Sequence, residues 1–158
     1  MHRAQQLVGL LEDNGWTITA MESCTGGAFL HEITSVEGSS RVTEGGYVTY
    51  SNAQKIRVGV SEQVIAEHGV YSRACAEEMS RVALRNVGAT FAIGVTGTLS
   101  NVDPANADSR PGEVHFSLCG RECVHKTETV AVPLVERKQQ KEFLVQHMLE
   151  RLLEWLQR

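Results

Sequence analysis

A chain of 158 residues is long enough to bury a real core and fits a single domain, 1–158. Its 42% hydrophobic and 22% charged residues are ordinary for a soluble globular protein, and a net charge of −4 excludes the basic footprint of a nucleic-acid binder. No apolar run reaches the length of a membrane span, and the N-terminal stretch MHRAQQLVGLLEDNGW lacks the unbroken apolar core of a signal peptide. A cytoplasmic address, with no membrane and no nucleic-acid partner, is the expectation.

In chain order, Ala4, Leu7, Val8 and Leu11 mark one face of a helix that stops at Gly15. WTITAM predicts a strand, and GGAFLHEIT a helix after the glycine pair. GGYVTYS predicts a second strand, and NAQKIRVGV a short helix closing near Gly59. Ser61 and Gly69 frame another short helix, and Ser72 starts a longer one whose Cys75, Met79, Val82 and Val87 can face a core. ATFAIGV is apolar throughout, as in a strand buried on both faces. Residues 112–119 and 126–132 predict an antiparallel pair, and 136–157 a long amphipathic helix. Alternating helices and strands with a late hairpin argue an α/β fold, a three-layer α/β/α sandwich on a mixed, partly parallel sheet.

Ligands of such sheets sit outside the carboxyl ends of strands. Three loops in that position have unusual composition. ESCTGG carries Ser23, Thr25, Gly26 and Gly27. It is either a hydroxyl-capped turn or, with free N–H groups at a helix start, an anion site. It matches neither the Walker loop nor G-x-G-x-x-G. In the second loop Tyr50 follows Ser40 by ten residues and Lys55 follows Tyr50 by five. No histidine lies in these glycine-rich loops, so a serine–histidine–aspartate triad fits poorly and a serine–lysine pair with a tyrosine is the remaining arrangement. It needs a neutral lysine, hence a pKa depressed by burial or positive charge; otherwise Lys55 is a solvated helix lysine. His115, Cys119, Cys123 and His125 also cluster, but without the paired spacing of a zinc site. Two short strands around Gly120, Arg121 and Glu122 explain them better, and no metal or cofactor is expected.

Together, ESCTGG, GSS, GGYVTYSNAQKIRVGV, FAIGVTG, PGEVHF and VERKQQKEF resemble the C-terminal domain of competence-damage-inducible (CinA) proteins over nearly the whole chain. Free-standing members of that family include nicotinamide mononucleotide deamidases. The resemblance implies an amidohydrolase of pyridine-nucleotide salvage that releases nicotinic acid mononucleotide and ammonia. It implies Ser40 as nucleophile, Lys55 as base and Tyr50 as an active-site tyrosine. Ser23 and Thr25 would supply substrate-contacting hydroxyls, with Gly26 and Gly27 in the same turn. Arg137, at the start of the last helix, suits a phosphate monoester. A homodimer is compatible with the resemblance.

One segment departs from the family pattern. The family commonly has an AGPGG-like turn after the buried strand, where this chain has VTGTLSNVDPANADSRPGE. Gly97 is kept, Thr98 stands in place of proline, and the loop is longer. It is either a turn-rich surface excursion or an altered wall of the substrate pocket. An amidase with a different substrate, or a nucleotide-binding or regulatory protein without hydrolysis, therefore stands as the alternative to the deamidase.

Overall fold

The computed structural model describes residues 2–122 and 124–157. Among the described residues there are six α-helices and five strands. Helix α1 (His2–Asn14) buries Ala4, Leu7, Val8 and Leu11, the face that the spacing predicts. Strand β1 (Ile18–Glu22) leads into α2 (Ala28–Thr34), and a 3-10 turn (Ser39–Arg41) precedes β2 (Tyr47–Val48). Helices α3 (Asn52–Val58), α4 (Glu62–His68) and α5 (Arg73–Val87) are capped by the hydroxyls of Ser51, Ser61 and Ser72, each accepting a first-turn N–H. Strands β3 (Phe91–Gly97), β4 (Glu113–Gly120) and β5 (His125–Ala131) precede the long α6 (Arg137–Leu156). No helix among the described residues is long and apolar enough to cross a membrane.

The sheet order is β2-β1-β3-β4-β5. Strands β2, β1 and β3 are parallel, whereas β4 and β5 run antiparallel, so the sheet is mixed as expected. Leu7, Phe29, Ile33, Leu144 and Met148 of α1, α2 and α6 pack on one face against Ile18, Ile93 and Phe116. Cys75, Met79, Val82 and Ala83 of α5 pack on the other, against Met21 and Ala92. These are the three layers. Helix α5 approaches β3 so closely that a Cβ added at Gly94 would lie 2.7 Å from the backbone nitrogen of Ser80.

Two strand boundaries differ from the sequence expectation. The strand expected at 45–51 pairs over only two residues, because it is an edge bonded to β1 alone. Thr49 still donates its N–H to the Glu22 carbonyl (2.8 Å) before the chain turns into α3. The strand expected from 89 begins at Phe91. Helix α2 starts directly after the glycine pair as expected, Gly26 and Gly27 holding φ angles of 60° and 100°.

This topology puts the carboxyl ends of β1 and β3 side by side, in register from Ile18↔Phe91 to Glu22↔Val95. The chain leaves β1 through α2 towards β2 and reaches β3 through α3–α5. The crevice at that switch point is where an open α/β sheet binds ligands.

Candidate active site

Ser23 is the first residue beyond β1, and its N–H donates to the Val95 carbonyl of β3 (3.1 Å). It therefore sits at the floor of the switch-point crevice. Lys55, in the first turn of α3, points back under the strand ends and is only 1% exposed. Its Nζ donates to Ser23 Oγ (3.0 Å) and to the Thr49 carbonyl (2.8 Å). Burial lowers the Lys55 pKa; the acidic partners that oppose the shift, Cys75, Cys24 and Asp103, are weaker. Neither oxygen acceptor carries a formal charge, so nothing in direct contact holds the lysine protonated. A neutral amine within hydrogen-bond reach of a hydroxyl is a nucleophile and base pair.

The expected pairing of Ser40 with Lys55 needs correction. Ser40 is exposed, within the 3-10 turn. Its neighbour Arg41 pairs with Glu12 of α1 (2.6 Å), and Val42 accepts from Ile18 N–H (2.8 Å) at the start of β1. Ser23 follows the end of that strand. Five residues of strand, roughly 16 Å, therefore separate the end of the sheet beside Ser40 from the end that carries Ser23. The serine that the structure gives to Lys55 is Ser23.

The turn after Ser23 is organised by an acid that the sequence reading passed over. Glu22 is fully buried. Its Oε1 accepts from the Thr25 hydroxyl (2.6 Å) and the Phe29 N–H (2.9 Å), and its Oε2 from the Leu30 N–H (3.0 Å). The anion at the start of α2 is thus the chain's own carboxylate, satisfying first-turn donors that Gly27 cannot cap with a side chain. Of the two readings of ESCTGG, a capped turn or an anion site, these contacts fit the capped turn. Thr25 is buried against Glu22, and Gly26 and Gly27 lie outside the cleft lining. The first residue of the motif was the available signal: an acid at a strand end, shortly before a helix whose N-cap is glycine.

The cleft above Ser23 encloses about 660 Å³. Tyr50 and Arg137 form one side, with an Arg137 guanidinium nitrogen donating to the Tyr50 hydroxyl (2.9 Å). Gly97, Thr98 and Leu99 line it at the end of β3. Gly97 is a close-approach glycine, since a Cβ there would lie 2.5 Å from the Glu113 carbonyl oxygen. The 98–112 segment, with Asn101, Asp103 and Asn106, forms the facing wall. Cys24 also lines the cleft, and burial pushes its thiol up to about 12, so it is a poor thiolate. Outside the lining, Lys141 follows Arg137 by one turn of α6, and its Nζ would lie 3.3 Å from a Cβ at Gly26.

Elsewhere, His115 Nδ1 is engaged with the Thr129 hydroxyl (2.8 Å) and His125 Nδ1 with that of Ser117 (3.2 Å). Cys119 pairs across the ladder with His125, and Cys123 lies outside the described residues. A second concavity, between α1 and α6, is lined by residues such as Arg3, Gln6 and Glu150 and holds no nucleophile with a base.

A family model, the CinA C-terminal domain, matches residues 1–156. The chain belongs to the CinA C-terminal domain family. A protein named Nicotinamide-nucleotide amidohydrolase PncC from Escherichia coli K12 is 36% identical over 119 residues, 75% of this chain and 72% of that one. Its namesake from Enterobacter agglomerans is 38% identical over 113 residues, 71% and 68% of the two chains. A competence-damage inducible protein of Symbiobacterium thermophilum is 41% identical over 118 residues, 73% of this chain but only 28% of that longer one. Among solved structures, the competence damage-inducible protein A of Klebsiella pneumoniae superposes with a TM-score of 0.92 at 26% identity, covering 99% of this chain and 96% of that one.

Replacing Glu22 with alanine leaves a hydroxyl and two amide donors buried without an acceptor. The unfolding free energy should fall by about 3 kcal/mol or more. Chemical denaturation checks this, with the midpoint shifted and the slope unchanged.

Proposed function

We propose that this CinA-family chain is an amidohydrolase that converts nicotinamide mononucleotide to nicotinic acid mononucleotide and ammonia, with Ser23 as nucleophile and Lys55 as base. The observation that carries the reading is the buried 3.0 Å contact between Lys55 Nζ and Ser23 Oγ at the foot of the cleft. Relatives named as nicotinamide-nucleotide amidohydrolases support the substrate class.

The steps follow from the pair. Neutral Lys55 takes the Ser23 proton as Oγ attacks the carboxamide carbon. The resulting ammonium returns a proton to the departing nitrogen, which leaves as ammonia. The acyl ester on Ser23 is then hydrolysed by a water that Lys55 deprotonates, releasing the acid and restoring the hydroxyl. Arg137, held by Tyr50 at the cleft side, supplies a bidentate donor for the nucleotide phosphate, and Lys141 adds charge one turn on. Binding of a nucleotide without hydrolysis is the second reading. It draws on the 98–112 wall that departs from the family's short turn, and it would give saturable binding with no ammonia.

Ser23→Ala should cut turnover by about three orders of magnitude or more while substrate still binds, whereas Ser40→Ala should stay within about twofold of the unaltered protein. Ammonia release measured against pH should rise as Lys55 loses its proton. Because burial lowers that pKa, the ascending limb should fall below the usual lysine range. Loss of activity in Ser40→Ala with retention in Ser23→Ala would reverse the assignment.

Arg137→Ala should raise KM for the nucleotide by about 10- to 100-fold, the size expected for a hydrogen bond to a charged group. Nicotinamide riboside, which lacks the phosphate, should be affected far less. Equal loss for both substrates would show that Arg137 does not read the phosphate.

A further inference from the structure

The 98–112 segment is built to hold one carboxylate. Thr98 and Pro111 are bridged, and Gly112 N–H donates to the carbonyls of Thr98 and Leu99 (2.9 and 2.8 Å). Inside that closure Ser109 Oγ meets Thr98 Oγ1 (2.8 Å) and accepts from the Asp103 N–H (2.8 Å). The Asp103 carboxylate then accepts from the Tyr71 hydroxyl (2.5 Å), the Asn106 amide (2.6 Å) and the Ala105 N–H (2.9 Å). Asn106 is tied by Asn52 of α3 (2.8 Å), and Asp108 is anchored by the Tyr71 N–H (2.9 Å). The wall is therefore fixed to the element that carries Lys55.

All of the donors to Asp103 are neutral. Among the described residues no ion pair involves Asp103. The hydrogen bond from Tyr71, then that from Asn106, lower its pKa, so the group stays ionised. It lines the same cleft as Ser23. A carboxylate fixed in a binding cleft, in an ion pair with no described side chain, favours a cationic ligand and penalises an anionic one.

We propose that Asp103 is a specificity-determining residue, whose carboxylate selects a carboxamide carried on a positively charged heteroaromatic ring over its neutral counterpart. This rests on the amidohydrolase reading, under which the ring that enters the cleft is an N-glycosylated pyridinium. The cation lies beside Asp103 while the anionic phosphate is held at Arg137. The assignment gives the 98–112 departure a role: it replaces a short turn with a wall that reads ring charge.

The test compares nicotinamide mononucleotide with its 1,4-dihydro form, which keeps the carboxamide and phosphate but has a neutral ring. Dissociation constants are measured by calorimetry in a Ser23→Ala background, where turnover is removed. The cationic form should bind the more tightly. Asp103→Asn should weaken it by about five- to tenfold, allowing for solvent screening at a half-exposed site. The dihydro form should change by less than about twofold. Tyr71→Phe keeps the charge and should keep the preference. With Asp103 intact, the preference should also shrink as salt rises, a measurement that does not depend on any variant at 103 folding. Absence of a preference, a preference insensitive to salt, or equal loss of both ligands in Asp103→Asn overturns the assignment. Ammonia release by the protein with Ser23 intact reports separately on the hydrolase reading. Release without charge preference sinks Asp103 alone, and charge preference without release sinks the hydrolysis alone.

Discussion

A lysine amine buried between two neutral oxygens is the constraint on which the site depends. Removing a charged ammonium from water costs several kcal/mol, and among the described residues no carboxylate hydrogen-bonds Lys55, the opposing pull of Cys75, Cys24 and Asp103 being weaker than burial. The fold resolves this by favouring the uncharged amine, the form able to take a proton from Ser23. A well-packed apolar side chain would fill the same space at lower cost. A buried basic group under a cleft, with its pKa displaced by desolvation, is the pattern of a group kept for chemistry.

The surroundings hold that pair in register. Glu22 ends β1 and collects the first donors of α2, so the turn that starts at Ser23 cannot swing with the glycines that follow it. The Thr49 N–H bonds the Glu22 backbone while its carbonyl takes the other Lys55 contact, which couples the α3 side of the cleft to β1. Gly97 lets β3 and β4 close up beside the site. The buried Thr49 hydroxyl has no hydrogen-bond partner in the same neighbourhood. Ser23 and Thr49 lie just beyond strand ends and are tied back to β3 and β1 by backbone hydrogen bonds, which keeps the nucleophile and base at fixed separation.

The layers were legible in the sequence because they rest on periodicity. Ala4, Leu7, Val8 and Leu11 gave α1, the apolar 89–95 run gave β3 within two residues, and Ser61 and Ser72 marked two helix starts. Tyr50 and Arg137, which line the cleft, and Lys55, buried beneath it, were legible through motif resemblance. The partner of Lys55 was not. The family resemblance brought Ser40 forward, but a strand carries its two ends far apart, and it is Ser23, at the far end of β1, that meets the lysine. Glu22 was hidden because a strand-end acid that caps a helix has no fixed spacing rule. The Asp103 network was hidden because its donors, Tyr71, Asn106 and Asn52, come together only in three dimensions.

The account turns on which serine carries the acyl group. Rapid acid quench during turnover of nicotinamide mononucleotide, followed by peptide mass analysis, reads this directly. The ester is predicted on the peptide that contains Ser23, with the mass of the substrate acyl group added. An adduct on the peptide that contains Ser40, or ammonia released at a burst with no adduct on Ser23, would contradict it.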